Sequence, residues 1–281
     1  MGILGLIALL VVVAAPAMRS SPIVLDSTTA APDRPLPAEL RRAVHSRSYL
    51  LLNAAFFVCG FHVTFIGIHL SGYVEDIGLS SSTGSTALAL SGLFNIFGSV
   101  IAGALGQCFR YTWILAGIYG LRAVVTAAFI LIPAGTATTL IFGASMGMLW
   151  LATVPMTSGI VTNQFGPTYA GTLFGIVFLA HQIGSFIGAW MGGELIDATG
   201  SYALMWWLSV ALGVPAMGLH LMISDHPVPD PPPVGDGGLR VAPAGLAALI
   251  LVAIGSGALS LTARAVDAST AVAYGLLAAP T

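Results

Sequence analysis

The longest uncharged stretch of the chain sets the strongest limit on its fold. Between Arg122 and Glu194 there is no Asp, Glu, Lys or Arg. Over the whole chain, charged residues make up 7% of the sequence and hydrophobic residues 57%, and the mean hydropathy is +0.94. A soluble domain carries about 25% charged residues, and one with so few charges would expose large apolar patches to water. The composition therefore predicts a protein embedded in a lipid bilayer.

Apolar runs of the right length define the predicted helices. A membrane-crossing helix needs about 20 mostly apolar residues, and the sequence contains eight candidate runs. The Gly166-Pro167 pair divides the long uncharged stretch into two of them. The prediction is an all-α, polytopic membrane helix bundle. In chain order, its spans A to H are approximately Gly2–Met18, Tyr49–Val74, Gly84–Cys108, Thr112–Pro133, Ala137–Gln164, Tyr169–Leu195, Tyr202–Ile223 and Val241–Ala263.

The segments around spans B to G are assigned from composition. Residues 1–18 favour a membrane helix over a signal peptide, because no positive region precedes the apolar run. Residues 19–48 form a linker rich in Pro, Ala, Ser and Thr, residues 49–225 hold six spans, and residues 226–240 form a Pro-rich linker. Residues 241–281 contain span H, which is only weakly hydrophobic, so a membrane helix and a non-spanning tail both remain open.

Arginine placement predicts the orientation. The linker at residues 19–48 holds five of the nine basic residues of the chain, Arg19, Arg34, Arg41, Arg42 and Arg47. The positive-inside rule makes this linker cytoplasmic, and alternation then puts Glu75 and Asp76 outside and Arg110 inside. We expect a multi-pass protein of the cell (inner) membrane. The formal charge of −2 gives no indication of nucleic-acid binding.

Small residues and prolines predict how the helices pack. Small residues recur every four positions in spans C, E and F, including Gly98 and Ala102, Gly143 and Gly147, and Gly184 and Gly188. Such stripes let helix backbones approach closely in lipid. Gly171 and Gly175 begin a second stripe in span F. Pro155 and Pro215 interrupt spans E and G, and a proline in a membrane helix frees a backbone carbonyl and allows a kink.

Polar residues at membrane depth are the candidate binding residues. Arg122 lies near the middle of span D, where an arginine costs on the order of 2.5–3.5 kcal/mol on insertion scales. No Asp or Glu lies at similar depth, so the arginine either bonds to carbonyls and amides or meets an anionic ligand. His62 lies mid-span in B and His181 mid-span in F, followed by Gln182. Asn95 lies in a polar stripe of span C that either joins helices or lines a water path.

The sequence gives no indication of an enzyme. Gly143–Gly147 fits the pattern G-x-S-x-G, but that motif requires a strand-to-helix turn, and here it lies within a predicted helix. Cys59 and Cys108 have no metal-type spacing partner. We find no nucleotide-binding or zinc-protease motif either, and expect no catalytic residues, no metal site and no cofactor.

As a set, several stretches of spans B to G resemble the carboxy-terminal half of a major facilitator superfamily transporter. The similarity is greatest to the bacterial monocarboxylate-porter and oxalate/formate-antiporter-like branch, and it covers about residues 47–225. The stretches that carry it are Phe56–Phe65, Gly92–Ser99, Leu121–Ala123, Met148–Gly159, Thr172–Gln182, Gly184–Gly193 and Gly200–Tyr202.

The resemblance implies an architecture and a function. Span A and the arginine-rich linker look like the sixth helix and the central cytoplasmic loop of that fold, and spans B to G like one six-helix half. In this fold the substrate lies at mid-membrane between two such halves. A second six-helix half, on another chain or in a longer protein, is therefore an expected partner.

The residues and the resemblance together suggest secondary transport of a small organic anion such as a monocarboxylate. His62 and His181 would bind the anion or carry a coupled proton, since the unperturbed imidazole pKa lies near neutrality. Asn95 and Gln182 would orient the anion, Arg122 would attract it and Trp150 would form a wall of the cavity. The alternative is a truncated, non-transporting membrane protein or a half-transporter module that needs a partner. An intramembrane enzyme is the weakest reading.

Overall fold

The computed structural model describes residues 34–229, and within them the chain is an all-α helix bundle. Six helical segments are long and apolar enough to cross a bilayer, and one of them, Thr136–Phe165, consists of two consecutive helices. They coincide with spans B to G, which confirms the predicted fold class. Spans A and H lie outside the described residues. The helices, numbered in chain order, are α1 Leu36–His45, α2 Arg47–Asp76, α3 Ser81–Leu105, α4 Tyr111–Leu131, α5 Thr136–Leu149, α6 Thr153–Phe165, α7 Ala170–Thr199 and α8 Ala203–Leu221.

Helix α1 falls within the segment that the sequence assigns to a linker. It is short and amphipathic, and it buries Glu39 and Ala43. Glu39 forms an ion pair of 2.6 Å with Arg42 one turn later, and Arg42 also lies over the ring of Phe165 at the end of α6. The helix was not predicted because its apolar face is only a few residues long and has no membrane-span signal.

Helix α2 lies at the centre of the bundle, where it crosses α7 at close range. A Cβ added to Gly60 would lie 1.9 Å from the carbonyl oxygen of His181, and one added to Gly184 would lie 2.0 Å from that of Phe57. Only glycine fits at these crossings, so the predicted small-residue packing of span F is confirmed.

A second close crossing joins α3 to α5. A Cβ at Gly98 would lie 1.9 Å from the carbonyl oxygen of Met148, and one at Gly143 would lie 2.4 Å from that of Ala87. The stripe that begins at Gly171 and Gly175 differs, because nothing lies within 4 Å of a Cβ built at either position. Those two glycines do not form a helix crossing in the described bundle.

The two membrane-helix prolines have different outcomes. Span E is divided into α5 and α6, and the break at residues 150–152 lies one turn before Pro155. Span G is one continuous helix, α8, with Pro215 inside it. Pro215 thus lies inside span G as predicted, and the helix stays continuous because a membrane helix can absorb a proline.

The chain after α8 is fastened to the end of the bundle where α4 begins. Asp225 accepts hydrogen bonds from Arg110 Nε at 3.0 Å and from Thr112 Oγ1 at 3.3 Å. Further on, the backbone N–H of Val228 donates to the carbonyl oxygen of Gln164 at the end of α6, at 3.1 Å. The segment therefore crosses from the end of α8 over the start of α4 and reaches α6.

Candidate functional site

The break between α5 and α6 leaves helical backbone groups without their usual partners. Pro155 has no N–H, and its ring clashes with the carbonyl of the residue four positions earlier, which is Leu151. The N–H of Val154 instead bonds to the carbonyl of Leu151 in a tight turn, at 3.1 Å. Helix α5 ends at Leu149, so the carbonyl groups of its last turn lack their usual partners within the helix.

Arg122 of α4 binds those carbonyl groups. Its Nε and Nη2 atoms donate to the carbonyl oxygen of Leu149 at 3.1 and 2.5 Å, and Nη2 also donates to that of Trp150 at 2.6 Å. Arg122 is 1% exposed. The end of α5 carries the negative end of its helix dipole, so it stabilises a cation at this position.

Cys59 of α2 is a third acceptor at the same place. Arg122 Nη1 lies 3.3 Å from Cys59 Sγ, which is also 3.4 Å from Thr153 Oγ1 in the first turn of α6. The ring of Tyr119 covers the guanidinium carbon, with 5.2 Å between that carbon and the ring centroid. Cys59 was not singled out in the sequence. The available signal was its position one helical turn before His62, which puts both residues on neighbouring faces of α2.

Asn95 of α3 completes the hydrogen bonding of the break. Its Oδ1 atom accepts from the backbone N–H of Leu151 at 2.9 Å. Three of the predicted site residues, Asn95, Arg122 and Trp150, therefore meet at one point, although Trp150 contributes its carbonyl oxygen to that point. We call this constellation the helix break: Cys59, Asn95, Arg122, Leu149, Trp150, Leu151 and Thr153.

The remaining three predicted residues lie around the helix break. His62 is buried, and its Nε2 atom lies 2.8 Å from the carbonyl oxygen of Ser209 on α8. His181 is half-buried on α7, with its ring stacked on Phe178 at 5.3 Å between centroids, and its Nδ1 atom lies 3.1 Å from Oε1 of Gln182. Gln182 is exposed on the surface of α7. The structure thus separates a histidine directed at α8 from a His–Gln pair on α7.

The centre of the described bundle carries a positive charge without a carboxylate. In residues 34–229, every Asp and Glu lies in α1, in a segment outside the helices, or within the last two turns of a helix. Of the ion pairs in the described residues, Arg42–Glu39 lies within α1 and Arg110–Asp225 joins two residues outside the helices. No group of three His, Cys, Asp or Glu residues there is placed to hold a metal ion. Arg122 therefore keeps its charge and is stabilised by carbonyl dipoles, a sulfur atom and an aromatic ring.

Comparison with protein families identifies the fold. The family model described as Major Facilitator Superfamily matches residues 1–189 and again residues 50–279. The chain belongs to the major facilitator superfamily. Its fold is a multi-pass membrane helix bundle of that superfamily, and the predicted family is confirmed.

Two curated relatives illustrate the similarity. The chain is 26% identical over 190 residues to an uncharacterized MFS-type transporter, YcxA, of Bacillus subtilis, an alignment that covers 66% of this chain and 45% of that protein. It is 22% identical over 172 residues to monocarboxylate transporter 12-B of Danio rerio, which covers 57% of this chain and 34% of that protein. The chain thus spans less than half the length of these relatives.

Proposed function

We propose that this chain takes part in the secondary transport of a small organic anion, of the monocarboxylate type, across the inner cell membrane. The observation that carries the proposal is the buried guanidinium of Arg122 at a helix break, with no carboxylate at that depth among the described residues. A positive interior attracts anions and rejects cations. The name of the Danio rerio relative, a monocarboxylate transporter, supports the same substrate class.

In this proposal Arg122 attracts the anion through its electric field and does not contact it directly. At 1% exposure, the guanidinium is closed off from a ligand in the described conformation. It contacts Cys59 of α2, and α2 crosses α7 at His181, because a Cβ added to the neighbouring Gly60 would lie 1.9 Å from the carbonyl oxygen of His181. Charge at the helix break is therefore felt at His181, because the interior of a membrane bundle screens charge far less than water does.

His181 and Gln182 are the groups that would contact the anion. His181 is half-buried and Gln182 exposed, and both are hydrogen-bond donors in at least one orientation or tautomer. Asn95 and Trp150 are also partly exposed and border the helix break. His62 is buried against α8, so its role in the proposal is to carry a coupled proton or to hold α2 in register with α8.

Transport by alternating access also needs a second six-helix half, so that half is part of the proposal. The exposed face of α3 would contact either that second half or lipid, because large apolar side chains are exposed along the helix. They are Leu93, Ile96, Phe97, Val100 and Ile101. The proposed role of the chain is one wall of a substrate site, and no catalytic residue or cofactor is involved.

Binding to the purified chain tests whether this wall of the site recognises the anion by itself. The purified chain in lipid nanodiscs is titrated with radiolabelled lactate and formate, and the bound label is competed with glucose and with the cation choline. We expect saturable carboxylate binding that neither glucose nor choline displaces. His181→Ala and Gln182→Ala are expected to weaken binding by on the order of tenfold each, as for the loss of one charge-assisted hydrogen bond.

The matched control is Arg41→Gln, which removes an exposed arginine from α1, and it should leave carboxylate binding unchanged. Binding of glucose or choline in preference to lactate and formate would refute the anion proposal. Uptake into proteoliposomes, with and without a co-reconstituted six-helix half, then tests transport itself.

A further inference from the structure

Helices α4 and α8 run antiparallel and meet in a regular register. A Cβ added to Gly213 of α8 would lie 3.1 Å from Cβ of Ala123 on α4 and 3.5 Å from Cε1 of His62. About one turn closer to the start of α4, the ring of Tyr119 stacks on that of His220, with 4.6 Å between the ring centroids. Positions on α4 therefore give the depth of the groups between the two helices, at about 1.5 Å per residue.

Two buried histidines lie along this contact, and each is held in one tautomer. His62 Nε2 lies 2.8 Å from the carbonyl oxygen of Ser209. In the same way, His220 Nδ1 lies 2.8 Å from that of Ala216. A carbonyl only accepts, so in each neutral ring the bonded nitrogen carries the hydrogen and the other nitrogen carries a lone pair. Those other atoms, His62 Nδ1 and His220 Nε2, are buried and have no hydrogen-bond partner among the described residues.

Two buried oxygen atoms extend the same line. Tyr119 Oη and Asp225 Oδ1 also have no hydrogen-bond partner in the described part of the chain. Asp225 follows the end of α8 and is fastened beside Thr112 on α4, whose hydroxyl donates to its Oδ2 atom at 3.3 Å. The contact between α4 and α8 therefore carries four buried atoms that can each bind a proton or a hydrogen-bond donor.

The four groups are spaced in order along α4. The level of His62 and the level of Tyr119 and His220 are four residues apart on α4, which is about 6 Å. Asp225 lies seven residues further towards the start of α4, about another 10 Å. The whole line of about 16 Å is half of a hydrocarbon core of about 30 Å. It leads from mid-membrane to the end of the bundle that the arginine distribution predicts to be cytoplasmic.

We propose that His62, Tyr119 and His220 form a proton path from the middle of the bundle to its surface, with the carboxylate of Asp225 as the outlet. A proton bound at Nδ1 of His62 passes to the hydroxyl oxygen of Tyr119, which releases its own hydrogen to Nε2 of His220. His220 then releases that proton from the same nitrogen towards Asp225 and solvent, and both rings regain their starting tautomers. A step of about 6 Å is spanned by one water molecule with two hydrogen bonds of about 2.8 Å.

Two charges of opposite sign give the path its direction. Arg122 covers the ring of Tyr119, with 5.2 Å between the guanidinium carbon and the ring centroid, and it repels a proton. At the outlet, Arg110 binds Oδ2 of Asp225 and leaves Oδ1 unpaired. A proton that leaves the middle of the bundle for Asp225 therefore moves away from a buried cation and towards a carboxylate. The path rests on the proposed function only in taking His62 as the carrier of a coupled proton.

Solid-state NMR of the chain in proteoliposomes tests the path. The chain contains six histidines, so selective 15N-histidine labelling gives a spectrum that His62→Gln and His220→Gln variants assign. The 15N shifts identify the tautomer of each ring, and water-edited spectra measure how fast magnetisation from water protons reaches each ring nitrogen. We expect transfer from water to Nδ1 of His62 and to Nε2 of His220. Absence of transfer at either nitrogen overturns the proposal.

Tyr119→Phe separates a proton path from simple packing. The variant keeps the ring that stacks on His220 and removes only the hydroxyl group. Transfer from water should fall several-fold at His62, which lies beyond the block, and stay unchanged at His220 on the outlet side. The matched control is Tyr73→Phe, which removes a hydroxyl from α2 about 16 Å from His62, on the side away from the outlet. This control should change neither rate.

The other outcomes of these spectra contradict the path. Unchanged transfer at His62 in Tyr119→Phe would show that water reaches this ring from another side. Equal losses at His62 and His220, or a loss at His62 in Tyr73→Phe, would assign the effect to packing. Unchanged 15N shifts of the remaining histidines verify that each variant is folded. The spectra are recorded without a carboxylate, so failure of the path and failure of anion binding are separate results.

Discussion

Helix α4 presents one face to the helix break and the other to an apolar groove of about 630 Å³ between α4 and α8. On the inner face, Tyr119 and Arg122 are buried, and the guanidinium has acceptors on three sides. On the outer face, Leu121 and Val124 are 54% and 65% exposed. The two faces differ because lipid surrounds the outer face. Lipid chains can fill an apolar groove at little cost, but they cannot satisfy an unpaired carbonyl or a guanidinium. Polar requirements must therefore be met within the protein, whereas apolar ones need not be.

Loss of the inner charge gives the largest expected effect. Arg122→Leu removes the donors to Leu149 and Trp150 and leaves both carbonyl groups unpaired inside the bundle. Each unpaired group costs about 1–3 kcal/mol, partly offset because the arginine no longer has to be buried. We expect a net loss of about 2–4 kcal/mol in the free energy of unfolding, measured by detergent titration in mixed micelles. Arg122→Lys should fall between, because an ammonium group has no planar fork to bind both carbonyls.

Arg41→Leu on the exposed side of α1 is the matched control for that loss. If Arg122→Leu unfolds at the same detergent fraction as this control, the helix break does not depend on the arginine. The two faces of α4 would then differ in how their side chains pack, and not in a requirement for polar partners.

Replacing glycine by leucine should destabilise the protein at Gly213, which faces the interior, but not at Gly117, which lies in the groove. A Cβ at Gly213 of α8 already lies 3.1 Å from Cβ of Ala123 and 3.5 Å from Cε1 of His62, so Gly213→Leu overpacks the interior. Overpacking costs about 1–3 kcal/mol. Gly117→Leu enters open space and should change stability by less than about 1 kcal/mol, with a gain from helix propensity. Equal losses at both positions, in the same detergent titration, would show that the groove is closed in the membrane.

Asn95 provides a smaller test of the inner face. Asn95→Ala removes the acceptor of the Leu151 N–H, and we expect a loss of about 1–2 kcal/mol. Asn95→Asp keeps an acceptor oxygen at that position and should retain most of the hydrogen bond. Hydrogen exchange at Leu151, followed by mass spectrometry of overlapping peptides, is expected to accelerate in the alanine variant only. Acceleration in both variants would contradict the role of the side-chain oxygen.

Cys59 gives the smallest expected effect. Cys59→Ser preserves an acceptor for Arg122 and should alter stability by less than about 1 kcal/mol, whereas Cys59→Ala should cost slightly more. Because Cys59 is buried and Cys108 is exposed, a maleimide should label only Cys108 in native membranes. Rapid labelling of Cys59 would indicate that water reaches the helix break, and would bring Arg122 within reach of a solute.

The two membrane-helix prolines show where prediction from sequence stops. Pro155 and Pro215 give the same local signal, yet one lies beside a break and the other lies in a continuous helix. At the break, side chains of two other helices supply partners for backbone groups, Asn95 of α3 and Arg122 of α4. Cys59 of α2 in turn accepts from Arg122. A sequence pattern within one helix cannot report which neighbours will be present.

The sequence named the polar residues of the candidate site more readily than it indicated which of them lie together. Depth within an apolar span selected Arg122, His62 and His181, because a polar residue there is costly unless it has a purpose. Their separation into a helix break, a contact with α8 and an exposed His–Gln pair follows from helix rotation and packing. Cys59 was missed because a cysteine in an apolar run is usually an ordinary core residue.

The sequence by itself determined that the protein lies in a lipid bilayer, how many helical spans the described part contains and which family the chain belongs to. The first two depend on hydrophobicity summed over about 20 residues, which no single contact can reverse. The family follows from short stretches of sequence spread over residues 47–225. Only the tertiary structure decided which polar residues meet, which proline accompanies a broken helix and which face of α4 stays open. Those outcomes depend on contacts between helices far apart in the chain, and in a membrane each buried polar group must find its partner there.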